Sequence, residues 1–203
     1  MCNEHEEINT LLNYLDNHID DEDEIVVVYD KNRVTDEVMT VLNGFVRNNY
    51  KHYPFDFKQN FLENKNFMNS MCTGDYIFQI DADEVPSEFL VQNLKEVLQV
   101  NPVDLLITPR KNIVSGLTQE HIKRWGWRVT SQGWVNWPDS QKRIYRNDRS
   151  IEWKGHQVHG MVEGYKTYAT LPEEEEWAII HTKHINRQVA QNTRYSQIEQ
   201  KAI

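Results

Sequence analysis

Helical and strand-like hydrophobic patterns alternate along the first half of the chain. Apolar residues recur at helical spacing over residues 8–19, 35–45 and 61–71, which predicts three amphipathic helices. Residues 25–29 and 76–80 are instead short, continuous apolar runs, which are typical of strands buried on both faces of a parallel sheet. This alternation predicts an α/β fold built around a mostly parallel sheet.

The pattern becomes irregular after residue 109. Before it, Pro86 suits the first turn of a further helix, and residues 105–107 form a third strand candidate. The elements expected after it are two short strands and a C-terminal helix, at residues 143–146, 177–180 and 187–203. A single domain with an irregular second half is favoured over a domain boundary near residue 109.

Composition and charge narrow the class of protein. The chain has 203 residues, 39% of them hydrophobic, and 22 basic against 31 acidic residues, which gives a net charge of −9. These values fit a globular protein and disfavour bulk binding of nucleic acid or of an anionic membrane surface. No apolar run approaches the roughly 18 residues of a membrane span. The polar start does not suggest a secretory signal, and the two cysteines fit a reducing, cytosolic setting.

The strongest chemical signal is a pair of carboxylates, Asp81 and Asp83, in the loop that leaves an apolar strand. Carboxylates two residues apart can share one divalent cation, and Mg2+ commonly takes one or two carboxylates together with substrate phosphates. The carboxyl ends of strands are also where open α/β sheets bind ligands. The pair therefore indicates a metal or nucleotide site, and a solvated turn at the start of a helix is the alternative.

Asp30 and His181 also follow apolar strands. Asp30 could face the same ligand as Asp81 and Asp83 across one sheet edge, or it could be an ordinary aspartate of a strand-to-helix turn. His181 could turn toward the two aspartates as a further metal ligand, or it could have a structural role.

Aromatic residues are concentrated in the second half. Five of the six tryptophans lie there in one stretch: Trp125, Trp127, Trp134, Trp137 and Trp153. Their rings could stack on sugars or bases, or they could form an aromatic core. Basic neighbours make Trp125 and Trp127 the best candidates for an exposed binding surface, and Arg143 lies among basic residues that could pair with a diphosphate.

Several segments together resemble family 2 glycosyltransferases of the GT-A fold. The most specific is residues 73–84, which end in Asp-Ala-Asp-Glu and are similar to the family's A-x-G-D-W-I-L-x-L-D-A-D-E. The other matches, in order, are residues 25–30, 34–38 and 55–60, then Gln141–Arg146 against Q-x-R-L-F-R, residues 158–160 against V-H-E, and residues 180–181 against I-x-H. The resemblance covers most of the chain.

The resemblance implies a GT-A-like three-layer sandwich, with a nucleotide-sugar-binding part at residues 1–109 and an acceptor-binding part at 110–203. The implied reaction transfers a sugar, with inversion, from a nucleoside diphosphate sugar to a hydroxyl acceptor. The donor is expected to contact Asp30 at its nucleoside, Asp81 at its ribose, and Lys58 and Arg143. The resemblance further implies Mn2+ or Mg2+ on Asp81, Asp83 and His181, and an acceptor beside Trp125, Trp127 and His159.

The expected acceptor is a glycan on a lipid or lipopolysaccharide. The expected location is the cytoplasm, either free or peripheral to the inner face of a membrane. Hydroxylated DNA bases and protein side chains are alternative acceptors. The main alternative function is a non-catalytic relative that binds a glycan or nucleotide, and the third is a nucleotidyltransferase.

The sequence departs from the family pattern at two places. The family begins with a strand ahead of its first helix, whereas Met1 of this chain corresponds to a position after that strand in the family pattern. Truncation, an upstream start and a degenerate protein are all open explanations. Unpaired backbone would then invite a partner chain, so we expect that a homo-oligomer can form. The carboxylate of V-H-E is replaced by Gly160, so Glu163 or Asp139 is expected to be the catalytic base.

Overall fold

The computed structural model describes residues 3–158 and 160–201. Its helices are α1 (His5–His18), α2 (Asp36–Gly44), α3 (Phe61–Met71), α4 (Glu88–Val100), α5 (Gln119–Trp125) and α6 (Ile185–Lys201). Its strands are β1 (Ile25–Asp30), β2 (Tyr50–Phe55), β3 (Tyr76–Phe78), β4 (Glu84–Pro86), β5 (Leu105–Thr108), β6 (Arg110–Ser115), β7 (Trp134–Val135), β8 (Gln141–Arg146), β9 (Glu152–Lys154), β10 (Met161–Glu163), β11 (Tyr168–Thr170) and β12 (Ile179–His184). None of the described helices is both long enough and apolar enough to cross a bilayer.

Four of the described helices begin at a side-chain cap, and α5 has Thr118 in that position. Thr35, Asn60 and Ser87 precede α2, α3 and α4, and each accepts a hydrogen bond from a backbone N–H of the first turn. These caps satisfy donors that have no partner within the helix. The expectation that Pro86 lies in the first turn of α4 is wrong, because Pro86 ends β4, which pairs with β12.

Strand pairing is mixed. In the described residues, two four-stranded sheets have the orders β11-β5-β8-β3 and β4-β12-β6-β7, and β1–β2 and β9–β10 form two-stranded sheets. Pairing is parallel for β1–β2, β5–β11 and β6–β12 and antiparallel for the other ladders. The α/β class is confirmed, but the strands are not mostly parallel. Parallel neighbours need long crossover connections, and the second half supplies few helices for them.

Hydrophobic clusters cover both faces of the β11-β5-β8-β3 sheet. Adjacent strand residues point to opposite faces: Leu105 and Tyr145 pack in one cluster, near α3, and Leu106 and Ile144 pack in another, beneath Leu90 of α4. A further cluster joins α1 and α2 to β1. Helices thus lie on both sides of the sheet, which gives the expected three-layer sandwich.

A cavity of about 1400 Å3 is lined by residues of both β1 and β3. In the described part of the chain, β1 has one strand neighbour, β2, and β3 has one, β8. Residues 25–28 and 76–80 all border the cavity. The cavity therefore separates two strands that form no ladder with each other.

A carboxylate ties the beginnings of these two strands together. Glu24, directly before β1, accepts hydrogen bonds from the backbone N–H groups of Thr73 and Gly74, the second at 2.9 Å, and from the Thr73 hydroxyl at 3.0 Å. A second contact joins Lys95 of α4 to Asp23 at 3.0 Å. The acidic turn before β1 thus holds this strand near the start of β3.

Candidate active site

The loop between β3 and β4 carries the two predicted carboxylates. The Glu84 N–H donates to the Asp81 carbonyl at 2.9 Å, and the Asp81 N–H donates to Glu84 Oε2 at 3.0 Å. These two bonds fix the turn between Asp81 and Glu84. Asp81 and Asp83 follow β3 and both line the large cavity, and their role as a metal or nucleotide site stays a prediction.

Asp81 is held by a buried network of charges. Arg143 Nη2 lies 2.6 Å from Asp81 Oδ2 and 2.8 Å from Glu84 Oε1, and Glu84, fully buried, also pairs with Arg110 at 2.8 Å. Burial opposes ionisation of Asp81, but the charges of Arg143 and Lys65 outweigh it and hold the pKa of that carboxyl well below its usual range. Asp81 is therefore an anion whose position is fixed by its contact with the buried Arg143.

Asp83 faces His181 and Lys183 of β12. Asp83 Oδ2 lies 3.4 Å from His181 Nε2 and 3.7 Å from Lys183 Nζ. Burial opposes ionisation of Asp83, but both neighbours lower its pKa. Asn112 donates through Nδ2 to Asp139 at 2.9 Å, so its Oδ1, 2.8 Å from His181 Nδ1, is an acceptor. The proton of a neutral His181 ring then lies on Nδ1, and Nε2 presents a lone pair toward Asp83.

Across residues 3–158 and 160–201, no cluster of three His, Cys, Asp or Glu side chains could hold a metal ion alone. Of the three metal ligands implied by the resemblance, the structure brings Asp83 and His181 together and directs Asp81 to Arg143. Any divalent cation here would therefore have two protein ligands and would need further oxygens from its substrate or from water.

Lys65 is a site residue that sequence reasoning missed. It projects from α3 into the cavity, with its Nζ 3.6 Å from the centroid of the Trp153 ring. Burial lowers its pKa to about 8, although the charge of Asp81 acts in the opposite direction. The available signal was helical spacing, because Phe61, Lys65 and Met68 share the α3 face that lines the cavity.

Two of the predicted donor contacts lie away from the cavity. Asp30 is buried at the end of β1, where its carboxylate accepts hydrogen bonds from Arg33 Nε at 2.6 Å and from the Asn32 N–H at 3.1 Å. Lys58 is exposed in the loop after β2. Neither belongs to the residues that line the cavity. Asp30 lies in a strand-to-helix turn, and its contact with the nucleoside stays a prediction.

Arg143 is also placed differently from the expectation of a donor contact. Its side chain is 4% exposed, and it does not line the cavity. Its guanidinium contacts Asp81 and Glu84 instead of open space. Arg143 thus orients the Asp81 carboxylate from the protein interior.

The two candidate bases occupy different positions. Asp139 lines the cavity, and its carboxylate accepts hydrogen bonds from Arg110, Asn112 and Gln141. Glu163 is exposed on β10 and does not line the cavity. Of the two carboxylates, Asp139 alone is placed to reach a ligand there.

Aromatic rings extend from the cavity to the surface. Trp127 lines the cavity and lies 4.7 Å, centroid to centroid, from Trp125, which stacks at 5.4 Å on His121. Trp125 itself does not line the cavity. The third expected acceptor contact, His159, lies outside the described residues.

Comparison with known proteins assigns the family. The model described as glycosyl transferase family 2 matches residues 1–170. The chain belongs to glycosyl transferase family 2. Among curated proteins, no significant match exists.

Solved structures of S. aureus TarS share the fold of this family member. TarS 1–349 is 17% identical over 90% of this chain, with a TM-score of 0.63. Its complex with UDP is 17% identical over 90% of this chain, with a TM-score of 0.62. Its complex with UDP-GlcNAc is 19% identical over 87% of this chain, with a TM-score of 0.54. The chain spans 58% of the length of TarS 1–349. These likenesses confirm the expected GT-A-like fold.

Proposed function

We propose that the chain is an inverting glycosyltransferase module that uses a nucleoside diphosphate sugar and a hydroxyl acceptor. The observation that carries this proposal is the pair Asp81 and Asp83, which faces a cavity of about 1400 Å3 at the carboxyl end of β3. Family membership supports it, and the related TarS structures hold UDP or UDP-GlcNAc. Open α/β sheets bind their ligands at such strand ends.

We propose that Mn2+ or Mg2+ is held by Asp83 and His181 together with diphosphate oxygens. The residues fit such an ion when His181 is neutral, because its Nε2 lone pair and Asp83 Oδ2 are then two ligand atoms 3.4 Å apart. Metal-binding histidines usually donate their other N–H, as His181 can do to Asn112. When bound, the cation would stabilise the negative charge of the leaving diphosphate.

Proton removal is assigned to Asp139. The acceptor hydroxyl oxygen bonds to the anomeric carbon while the bond from that carbon to the diphosphate breaks, and the diphosphate keeps the electron pair. The hydroxyl proton needs a base on the face opposite the leaving group. Asp139 lines the cavity, whereas Glu163 does not, and Arg110 and Gln141 hold its carboxylate in one orientation.

The acceptor is proposed to be a glycan or lipopolysaccharide-type molecule that stacks on Trp127 and Trp125. An aromatic face suits the apolar face of a sugar ring, and Trp127 connects this pair of rings to the cavity. Hydroxylated DNA bases and protein side chains remain alternative acceptors. A cytoplasmic or membrane-peripheral location, and assembly with a second copy, also belong to the proposal and not to the findings.

A ligand-binding panel tests this function. UDP, GDP, ADP and CDP, each with and without Mn2+, are compared by thermal unfolding of the wild type, Asp83→Asn and the exposed control Glu163→Gln. A ligand at about 100 times its dissociation constant adds about 2.7 kcal/mol of stability. We expect one diphosphate to stabilise the wild type and the control, with a metal-dependent part that Asp83→Asn removes.

Two results would contradict the proposal in different ways. If no diphosphate shifts the melting temperature of the wild type, the donor site does not function, and a glycan-binding relative becomes the better explanation. If a diphosphate binds but its sugar form is never hydrolysed or transferred, the chain is a nucleotide-binding relative without catalytic activity.

A further inference from the structure

β12 and α6 form a cationic wall of the cavity. Lys183, Arg187, Gln191 and Arg194 all line it. These residues come after residue 170, where the match to the family model ends. The cavity therefore has a wall whose chemistry the family match does not describe.

Lys183 is the cation of this wall that the structure fixes beside Asp83. Its side chain is 7% exposed, and its Nζ donates to Gln191 Oε1 at 2.8 Å. The separation from Asp83 Oδ2, 3.7 Å, is too long for a hydrogen bond. An ammonium group has three N–H donors. Donor capacity is therefore left for a ligand in the cavity that Lys183 lines.

Gln191 holds Lys183 in this position. The Gln191 amide donates through Nε2 to the Tyr195 hydroxyl at 2.8 Å, which leaves Oε1 to accept from Lys183. Gln191 and Tyr195 lie four residues apart on α6, so one helix face carries the whole chain of contacts. Gln191 is a positioning residue, because it acts through Lys183.

The neighbouring arginine is already neutralised. Arg187 pairs with Glu7, and with Glu4 at 3.5 Å. Among the described residues, Lys183 has one carboxylate within 4 Å, that of Asp83, and this carboxylate is shared with His181. An anion that enters between Asp83 and α6 therefore meets Lys183 as a cation that is both fixed and incompletely paired.

We propose that Lys183, positioned by Gln191, binds the diphosphate of the donor and keeps part of the donor affinity when divalent metal is removed. This inference rests on the proposed function. The site would then contain two cations beside the Asp83 carboxylate, one resident and one exchangeable. Lysine is a common phosphate ligand because it supplies a point charge with donors that can rotate.

Calorimetric titration in EDTA and in Mn2+ tests the proposal. The probes are the diphosphate selected by the thermal panel and its nucleoside without phosphates. In EDTA, we expect Lys183→Met to weaken the diphosphate tenfold or more and Lys183→Arg to restore most of the affinity. Gln191→Leu should weaken it by a smaller factor. The nucleoside should bind all variants equally, and the exposed control Lys154→Met should match the wild type.

Each contrary result has a separate meaning. Equal diphosphate affinity of the wild type and Lys183→Met in EDTA overturns this inference and leaves the proposed function standing. Failure of the wild type to bind any diphosphate overturns both. If Lys183→Met weakens the nucleoside as much as the diphosphate, its effect is structural, and the inference is wrong; Gln191→Leu, which retains the lysine, provides the second check.

Discussion

At the scale of single residues, Lys65 carries a charge that burial disfavours. Its ammonium lies on the Trp153 ring, and burial lowers its pKa from 10.5 to about 8. An unfolded chain would keep the ordinary pKa. Between these two pKa values the unfolded state binds more protons than the folded state, so the free energy of unfolding increases as the pH rises.

The prediction is a difference between two pH profiles. From pH 7.5 to 9.5, the stability of the wild type should rise relative to Lys65→Met, with a slope approaching about 1.4 kcal/mol per pH unit. Urea unfolding at several pH values measures it. The profile of Lys154→Met, which removes an exposed lysine, should run parallel to the wild type. Parallel profiles for Lys65→Met as well would show that Lys65 is not desolvated.

Residue types at strand ends were predictable, but their partners were not. Asp81 and Asp83 follow an apolar run that is legible in the sequence, and the structure places both at the cavity. Lys65 and Lys183 reach the same cavity from a helix and from a distant strand. Helical spacing places Lys65 on the α3 face that lines the cavity, but no local pattern indicates the approach of Lys183. Asp30 matched a motif as well as Asp81 did, yet it does not line the cavity.

At the scale of elements, the long amphipathic helices and the apolar strands were predictable. The helix α3 has the predicted bounds, 61–71, and β1 extends the predicted strand by one residue. The strand β2 was missed because it alternates polar residues and contains Pro54, which an edge strand tolerates. The strands β9, β10 and β11 have three residues each, too few for a period to show.

The hairpin of β9 and β10 depends on the glycine that follows it. Gly164 has φ +93°, and an added Cβ would lie 1.8 Å from the Ser150 carbonyl oxygen. We therefore expect Gly164→Ala to lower the free energy of unfolding by about 2–4 kcal/mol, from backbone strain and steric overlap together. Denaturant unfolding measures the loss.

Gly44 supplies the matched control for that substitution. It ends α2, and a Cβ added there meets nothing within 4 Å. Gly44→Ala should be neutral or should stabilise the protein by up to about 1 kcal/mol, because alanine is the better helix former. An equal loss at both glycines would mean that crowding at Ser150 is not the cause.

At the scale of the whole molecule, the α/β class was predictable and the sheet order was not. Alternating helices and strands favour an α/β fold, but strand order depends on which distant segments pair. The cavity is a product of that order, because it lies between β1 and β3, which are far apart in the chain and share no ladder. The division of the chain at residue 109 stays a prediction.

Strand edges without a ladder also predict association at high concentration. Backbone groups on such edges can pair with another chain. Sedimentation over a roughly hundredfold range of protein concentration, starting at a low micromolar value, should show an apparent mass that rises with concentration. A tightly bound diphosphate should reduce this rise if it fills the same cavity. A constant monomer mass over this range, with or without nucleotide, would contradict the expectation of self-association.

The hydrogen bonds of Glu24 connect β1 and β3 at one end of the cavity. A ladder would hold β1 and β3 at a fixed spacing along their whole length, whereas this carboxylate holds them at their beginnings, at Thr73 and Gly74. The other ends of the strands, where Asp81 lies, are farthest from these hydrogen bonds. A rotation about these hydrogen bonds would therefore change the distance between the strands most at the end near the carboxylates. A mutation at Glu24 would therefore weaken binding at the carboxylates through the spacing of the strands, with Asp81 and Asp83 both unchanged.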